Sequence, residues 1–527
     1  MRLAWMVTAG LPCFMASCAP APREAGRLSV ERQVSVETGR LQGVLGPGDT
    51  VAFLGIPYAA PPTGEARWKP PHPALPWKGV LAANALGPSC PQPDRAEKIR
   101  KVVVTALGGD VDAVPPQGPK GFGPTSEDCL SLNVFAPASP ATEKRPVMVW
   151  IHGGSFAYER GGEEAAVLAR RGVVVVTFNY RLGLLGFLAH PALTKESPHH
   201  ASGNYGLLDQ IEALRWVQRN IAAFGGDPSR VTIFGHSAGG DSVLMLAASP
   251  EARGLFQRAI AQSSSLGESQ SLATAEKDGV AIAESLGATS SDPLRALRAA
   301  PVERLLAAQS GVEPATEGWI IPKPIPVAIA EGATDGVPLI IGATAKEWSI
   351  FAIHSPPAKD RAAYRELLRK AGESHVERLL SLYPAARDED VPAASIRYLS
   401  DWDFVCPARY IARKRKGRTW FYVASASATA GEIGARYGAF HGSDVRLLFH
   451  DEMGIPLGEP AQRTGDAMQH YWSRFARSGE PNEPGLAEWP VYGSQYLDLG
   501  DPIRVRSDGD RAGCLVFDEV TDAHFAK

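Results

Sequence analysis

The stretch that most constrains this chain runs Val231-Thr232-Ile233-Phe234-Gly235-His236-Ser237-Ala238-Gly239-Gly240. Three β-branched residues and a phenylalanine predict a buried strand, and the small and apolar run Asp241 to Ala248 predicts a helix. Between them Gly235-His236-Ser237-Ala238-Gly239 matches G-x-S-x-G, in the strand–sharp turn–helix context that lifts a serine hydroxyl clear of the backbone. Glycines flank Ser237 because the turn is cramped and a side chain there would collide with a neighbouring strand or helix. A bare G-x-S-x-G describes only a tight turn. To be reactive, the serine needs a base, a carboxylate behind the base, and donors for an oxyanion.

The remaining pattern sets the frame for those parts. A hairpin is predicted over Val34–Leu45, then strands at Val51–Ile56, Leu130–Phe135, Val147–Ile151, Val173–Phe178, Arg258–Ala261, Pro338–Gly342 and Thr419–Val423. Several are apolar throughout and alternate with helical stretches such as Gly162–Arg171 and Asp209–Phe224. Such strands must be covered on both faces, which predicts an α/β fold with a large, mostly parallel central sheet and helices on either side. The segments 274–314 and 360–400 read as helical excursions between sheet strands, and 89–126 as loop with a helical patch near Ala96–Leu107. A chain of 527 residues is long enough for several domains, yet large α/β folds run long as one unit, so residues 31–527 are taken as a single domain.

A net charge of −3 without a long basic stripe excludes nucleic acid as a partner. The densest basic run, Arg413-Lys414-Arg415-Lys416-Gly417-Arg418, closes a helix-like segment, where cations need no ligand and a solvated helix end suffices. Residues 1–17 read as a signal peptide: Arg2 precedes an apolar run from Leu3 to Phe14 that is too short to span a bilayer. Met15-Ala16-Ser17-Cys18 resembles the bacterial lipobox, with Met in the usual Leu position, which implies lipidation of Cys18 and a tether over 18–30. Ala19, where Asp would retain a lipoprotein at the inner membrane, implies an outer-membrane or periplasmic address; ordinary cleavage would instead release a soluble exported protein. Beyond the leader stand Cys90, Cys129, Cys406 and Cys514. Export makes disulfides reasonable, and four cysteines allow three connectivities. Nothing in the Cys, His, Asp and Glu spacing calls for a metal, and no cofactor motif is present.

Three further stretches supply the missing parts. Val147–Ile151 ends in His152-Gly153-Gly154-Ser155-Phe156, a glycine-rich turn whose backbone N–H groups can point into a crevice beside the N–H of Ala238. Gly438-Ala439-Phe440-His441-Gly442-Ser443-Asp444 offers His441 as the base, set among small residues. Its rivals are His354, His450 and His470, the last inside a helical pattern. The acid should follow a strand between serine and base, and Glu347 lies just past Leu339–Gly342, where a carboxylate would hold the imidazole's tautomer.

With those residues in view, the chain resembles the type-B carboxylesterases, the group of bacterial para-nitrobenzyl esterases, animal carboxylesterases and cholinesterases. The resemblance rests on Phe53-Leu54-Gly55-Ile56-Pro57-Tyr58-Ala59, Ser126-Glu127-Asp128-Cys129-Leu130-Ser131-Leu132-Asn133, the His152 loop, Asn179-Tyr180-Arg181-Leu182-Gly183 and Gly203-Asn204-Tyr205-Gly206-Leu207-Leu208-Asp209-Gln210. The Ser237, Glu347 and His441 stretches follow in family order, so nearly the whole mature chain is covered. It implies an α/β-hydrolase fold, a Ser237–His441–Glu347 triad and an oxyanion hole from the N–H groups of Gly154, Ser155 and Ala238. It also implies a Cys90–Cys129 disulfide, ion pairs Arg67–Glu127 and Arg181–Asp209, and a Ser263 hydroxyl beside the acid.

The departures are specific. His236 stands where the family has Glu before the nucleophile, Ser155 replaces a third glycine after His152, and Lys346 replaces an acid before Glu347. Between Cys90 and Cys129 the only aromatic is Phe122, so the stacking tryptophan of a choline site is missing. The expected activity is hydrolysis of small carboxylic esters through an acyl-enzyme. Lipase-like acyl hydrolysis is the alternative within the fold, and a non-catalytic adhesion module the one outside enzymes. Phe156, Trp348, Phe351 and Phe440 lie close enough to the motifs to line a pocket or merely to pack a core.

Overall fold

The computed structural model describes residues 32–111, 123–267, 269–289, 291–309, 312–355, 357–450 and 455–525; the leader, the tether with Cys18, and Phe122 lie outside them. The predicted hairpin is β1 (Arg32–Val36) and β2 (Gly39–Gly46). It is followed by β3 (Thr50–Pro57), β4 (Val80–Ala82), β5 (Ser131–Pro137), β6 (Arg145–Ile151), β7 (Val174–Phe178), β8 (Gly226–His236) and β9 (Arg258–Gln262). A separate short pair, β10 (Gln270–Ser271) and β11 (Ala315–Thr316), precedes β12 (Leu339–Thr344), β13 (Thr419–Ala424), β14 (Gln495–Asp498) and β15 (Arg504–Ser507).

One sheet takes the order β1-β2-β3-β5-β7-β6-β8-β9-β12-β13-β14-β15, with β4 beside β2. From β7 to β14 every neighbour runs parallel. The β1-β2-β3-β5-β7 side and the β14–β15 edge are antiparallel. The predicted mostly parallel sheet is thus parallel through its middle, where the all-apolar strands lie, and mixed at its ends.

Strand alternation divides the core in two. On β6, Val147, Val149 and Ile151 face one layer, with the helix Tyr205–Asn220 and the helix Ala238–Ala248. Met148 and Trp150 face the other, with the helix Glu459–Ser478. A sheet with side chains of period two buried on both faces needs cover on both, which is what the continuous apolar runs encode.

Four features depart from the sequence reading. Helix within 162–171 shrinks to Ala166–Ala169, because Gly161 lies against the backbone of Phe178 and the chain turns there; a Cβ at Gly161 would come within 2.4 Å of the Phe178 carbonyl oxygen. The basic run does close a helix, Cys406–Lys414, but Arg415 is buried and donates to the Val337 carbonyl at 2.5 Å, so that cation is structural. Strands β14 and β15 are too short to read from pattern, and the 13-residue helix Gly513–Phe525 is an element the sequence reading did not include. A π-helical turn, Asp401–Val405, interrupts the helical run after Val391.

Two disulfides are formed, Cys90–Cys129 and Cys406–Cys514. The ion pairs Arg67–Glu127 and Arg181–Asp209 are present at 2.6 and 2.7 Å. The second is fully buried, and Asp209 also accepts the Arg181 backbone N–H at 3.0 Å, which offsets the desolvation of its carboxylate.

Candidate active site

Strand β8 ends at His236 and the helix Ala238–Ala248 begins one residue after Ser237, so the serine occupies the turn alone. Its φ of 57° and ψ of −126° place it in a strained region that non-glycine residues rarely enter. The turn is held by its neighbours: the Ser237 N–H donates to the Gln262 carbonyl at 2.9 Å, and the Ser237 carbonyl accepts from Asp241 N–H at 2.9 Å. A Cβ on Gly239 would lie 2.0 Å from the Ile151 carbonyl oxygen, and one on Gly153 would lie 2.6 Å from that of His236. The motif's glycines are therefore set by close packing of the elbow against the end of β6.

β6 and β8 run side by side, with Ile151 opposite Gly235, so the loops that leave them share one edge of the sheet. After β6 the backbone takes positive φ at three successive residues: Gly154 (91°), Ser155 (52°) and Phe156 (56°). Ser155 takes a left-handed backbone although it carries a side chain, while a Cβ at Gly154 would come within 2.1 Å of the Tyr158 carbonyl oxygen. Such a run turns consecutive N–H groups to one side. His152, at the root of the loop, is buried and stacked on Tyr180 with ring centroids 4.3 Å apart. Burial pulls its imidazole down to about 4, against which only a contact with the Gly153 carbonyl acts, so it stands neutral.

Glu347 follows β12 and is fully buried. Its Oε1 accepts from the Ser263 hydroxyl and from the Thr344 N–H, each at 2.6 Å. Its Oε2 lies 2.5 Å from Nδ1 of His441. An ionised carboxylate that only accepts fixes the proton on Nδ1, which leaves Nε2 with its lone pair. Three rings surround that imidazole: His236 at 4.4 Å, Phe404 at 4.8 Å and Phe351 at 4.9 Å between centroids. His236 belongs to the elbow, and through it His441 comes against the turn that carries Ser237.

Of the aromatic residues weighed from sequence, Phe351 reaches His441, and Trp348 packs on Phe351 at 5.5 Å. Phe156 packs on Phe187, and Phe440 is buried with Leu107, Ile350 and Tyr437, so these two are core. The rival histidines are elsewhere: His354 is exposed, His470 is bound to Arg171 and Glu483, and His450 lies by Asp466.

Two contributors were missing from the sequence reading. Phe404 sits on the π-helical turn, which the Trp348 indole N–H ties down through Asp403 at 2.6 Å; nothing in the local pattern marks it. Asp444 is fully buried behind the two histidines and takes donors from Gln262 and Tyr422, each at 3.0 Å. Its place three residues after His441, in the Gly438–Asp444 stretch, was the available signal.

Comparison with known proteins identifies the family. The profile of the carboxylesterase family matches residues 30–512. The fumonisin B1 esterase of Sphingopyxis macrogoltabida is 34% identical over 485 residues, which cover 86% of this chain and 84% of that protein. The para-nitrobenzyl esterase of Bacillus subtilis is 35% identical over 506 residues, 90% of this chain and 96% of that one. A solved structure of a PNB esterase superposes with a TM-score of 0.79 at 32% identity, over 92% of this chain and 99% of its own.

Proposed function

The chain belongs to the carboxylesterase family and is a carboxylic ester hydrolase, and from that premise we propose that Ser237, His441 and Glu347 carry the reaction. The observation that carries the assignment is the 2.5 Å contact between Glu347 and Nδ1 of His441, made beside a serine held on a strained turn.

Ser237 gives its hydroxyl proton to Nε2 of His441 as Oγ attacks the ester carbonyl carbon. The carbonyl oxygen takes the electron pair and is met by the N–H groups of Gly154, Ser155 and Ala238, the last at the positive end of a helix of 11 residues. The carbon–oxygen bond to the alcohol breaks as His441 returns the proton to the departing oxygen, leaving acyl-Ser237. Water then gives a proton to His441, its oxygen attacks the acyl carbon, and the proton passes to Ser237 Oγ as the acid leaves. Throughout, Glu347 stabilises the imidazolium without itself taking the proton.

Short-chain p-nitrophenyl esters are the test substrates, and Ser237→Ala should lower kcat by at least about 10³-fold. Equal activity of wild type and that variant would remove the assignment. As to address, we propose export with lipidation at Cys18, supported by the lipobox-like sequence and by two disulfides that suit an oxidising compartment. Palmitate labelling of the expressing cells checks it; label that survives Cys18→Ser would rule lipidation at that residue out.

A further inference from the structure

His236 ends β8 and stands directly before Ser237, with its ring against that of the proposed base. Its ring is tilted 46° against that of His441, 4.4 Å away. Its Nε2 is buried without a hydrogen-bond partner among the described residues. The nearest acid is Asp444, whose Oδ1 lies 4.0 Å from that nitrogen, beyond hydrogen-bond reach. Asp444 instead takes the Gln262 amide and the Tyr422 hydroxyl on Oδ2 and the Val445 N–H on Oδ1, each at 3.0 Å.

The other titratable groups facing this corner are committed as well. Burial and then Asp444 push the Tyr422 phenol up, so it is a neutral donor. Glu347 is taken by Ser263, Thr344 and His441, and Asp241, one turn along the helix, accepts from the Ser265 hydroxyl at 3.0 Å. Lys346 lies over Gly438, and its side chain is exposed. Burial, and then the neighbouring His441, hold the His236 imidazole well below its ordinary range.

We propose that His236 is a positioning residue that adds no charge of its own beside the catalytic base, packing there as a neutral ring in front of Asp444, and so extends ester hydrolysis into mildly acidic solution. The proposal rests on the triad reading above. The base works only while Nε2 is unprotonated, and its ionisation in the free enzyme appears as the acid limb of kcat/KM. A carboxylate within about 4–6 Å of an imidazole raises its proton affinity by about 1–3 pH units, and would shut the base off correspondingly earlier on acidification. A neutral ring exerts no such pull. Two imidazoles in contact share at most one positive charge. Glu347, at 2.5 Å, directs that charge to His441 when the imidazolium forms, and His236 remains neutral.

The test is the pH dependence of kcat/KM, followed from about pH 4 to 9 on one short-chain ester so that the acid limb is complete. His236→Gln and His236→Glu are compared in an Asp444→Asn background, because two adjacent carboxylates would share a proton and blur the charge introduced. Within that background His236→Glu should place the acid limb about one pH unit above His236→Gln. In the otherwise native chain, His236→Gln should keep the limb within about 0.3 pH unit of wild type, since one neutral group replaces another. Coincident limbs for the Glu and Gln variants, or a limb in His236→Gln raised by about half a unit or more, overturn the proposal. If the Asp444→Asn background does not fold, the same two variants are read in the native chain, where the shift has the same direction. A failed triad would show separately, as Ser237→Ala with undiminished activity.

Discussion

Glu347→Gln separates orientation from charge in the site, and its outcome follows from the donors already in place. The Oε1 position receives the Ser263 hydroxyl and the Thr344 backbone N–H, both at 2.6 Å. A hydroxyl can reverse and accept, but a backbone N–H can only donate, so Thr344 selects the carbonyl oxygen of the new amide for that position. The amide nitrogen then occupies the Oε2 position, 2.5 Å from Nδ1 of His441. Being a donor, it forces Nδ1 to accept and moves the imidazole proton to Nε2, where the base can no longer take the proton of Ser237. The isosteric change therefore leaves the shape intact and installs the wrong tautomer, for which the expected loss in kcat is about 10³–10⁴-fold, or roughly 4–5.5 kcal/mol of transition-state stabilisation. Steady-state kinetics on a p-nitrophenyl ester measure it, with far-UV circular dichroism to confirm an unchanged fold. KM should move little, because Glu347 is fully buried and does not meet substrate. A variant within about tenfold of wild-type kcat would mean that Glu347 does not orient the base, whatever its distance from it.

Two more perturbations test the frame around the site. Cys406–Cys514 and Cys90–Cys129 span 108 and 39 residues, so the chain-entropy relation assigns them about 5 and about 4 kcal/mol before any strain. Paired Cys→Ser replacements should lower the urea midpoint, the longer loop more; an unchanged midpoint for Cys406→Ser/Cys514→Ser would show that helix packing alone holds the C-terminal segment. His152 has its imidazole pulled from an ordinary 6.5 to about 4 by burial. The unfolded chain therefore binds the extra proton first on acidification. Stability is lost as pH falls from about 6.5 towards 4, by roughly 3 kcal/mol from this residue in full. His152→Phe, which keeps an aromatic on Tyr180, should flatten that part of the stability–pH curve; an equally steep curve would place the acid sensitivity elsewhere.

The residues proposed to react could be picked out in the sequence because their chemistry demands a residue type at a fixed place in a turn. Gly239 and Gly153 must lack side chains because carbonyl oxygens stand where a Cβ would go, so the elbow and the loop before it are written in glycine. Glu347 was suggested by its place just past an apolar run and His441 by chain order and its small neighbours, and the family resemblance joined them to Ser237. Phe404 was not, because it depends on one inserted turn of π-helix and on an Asp403–Trp348 bond between residues 55 positions apart. Asp444 is a polar residue in a helix, which pattern reads as solvated, and only the packing of β13 and β9 side chains around it makes it buried. The missed strands β14 and β15 failed for a simpler reason: with four residues each, one of them exposed throughout, they carry no period to detect.

Why these parts converge at all is a property of the sheet. Within a parallel run every strand delivers its C-terminal end to the same edge, with neighbours about 4.8 Å apart. Here the order β6-β8-β9-β12-β13 is continuous. β6 ends in the His152 loop, β8 in the Ser237 elbow, β9 in Gln262 and Ser263, and β12 in the turn to Glu347. The proposed oxyanion donors, nucleophile and acid, with the hydroxyl behind that acid, thus leave four adjacent strands in spatial order. The base is the exception. His441 follows β13 only after the helix Gly431–Tyr437, and its ring is held by Glu347, Phe351 and Phe404 from outside the strands and by His236 from the end of β8. The residue proposed to exchange protons is therefore the one that no strand end delivers directly, although the end of β8 packs against it. Substitutions at those side chains reach the pH dependence of the reaction without disturbing the backbone that holds the serine.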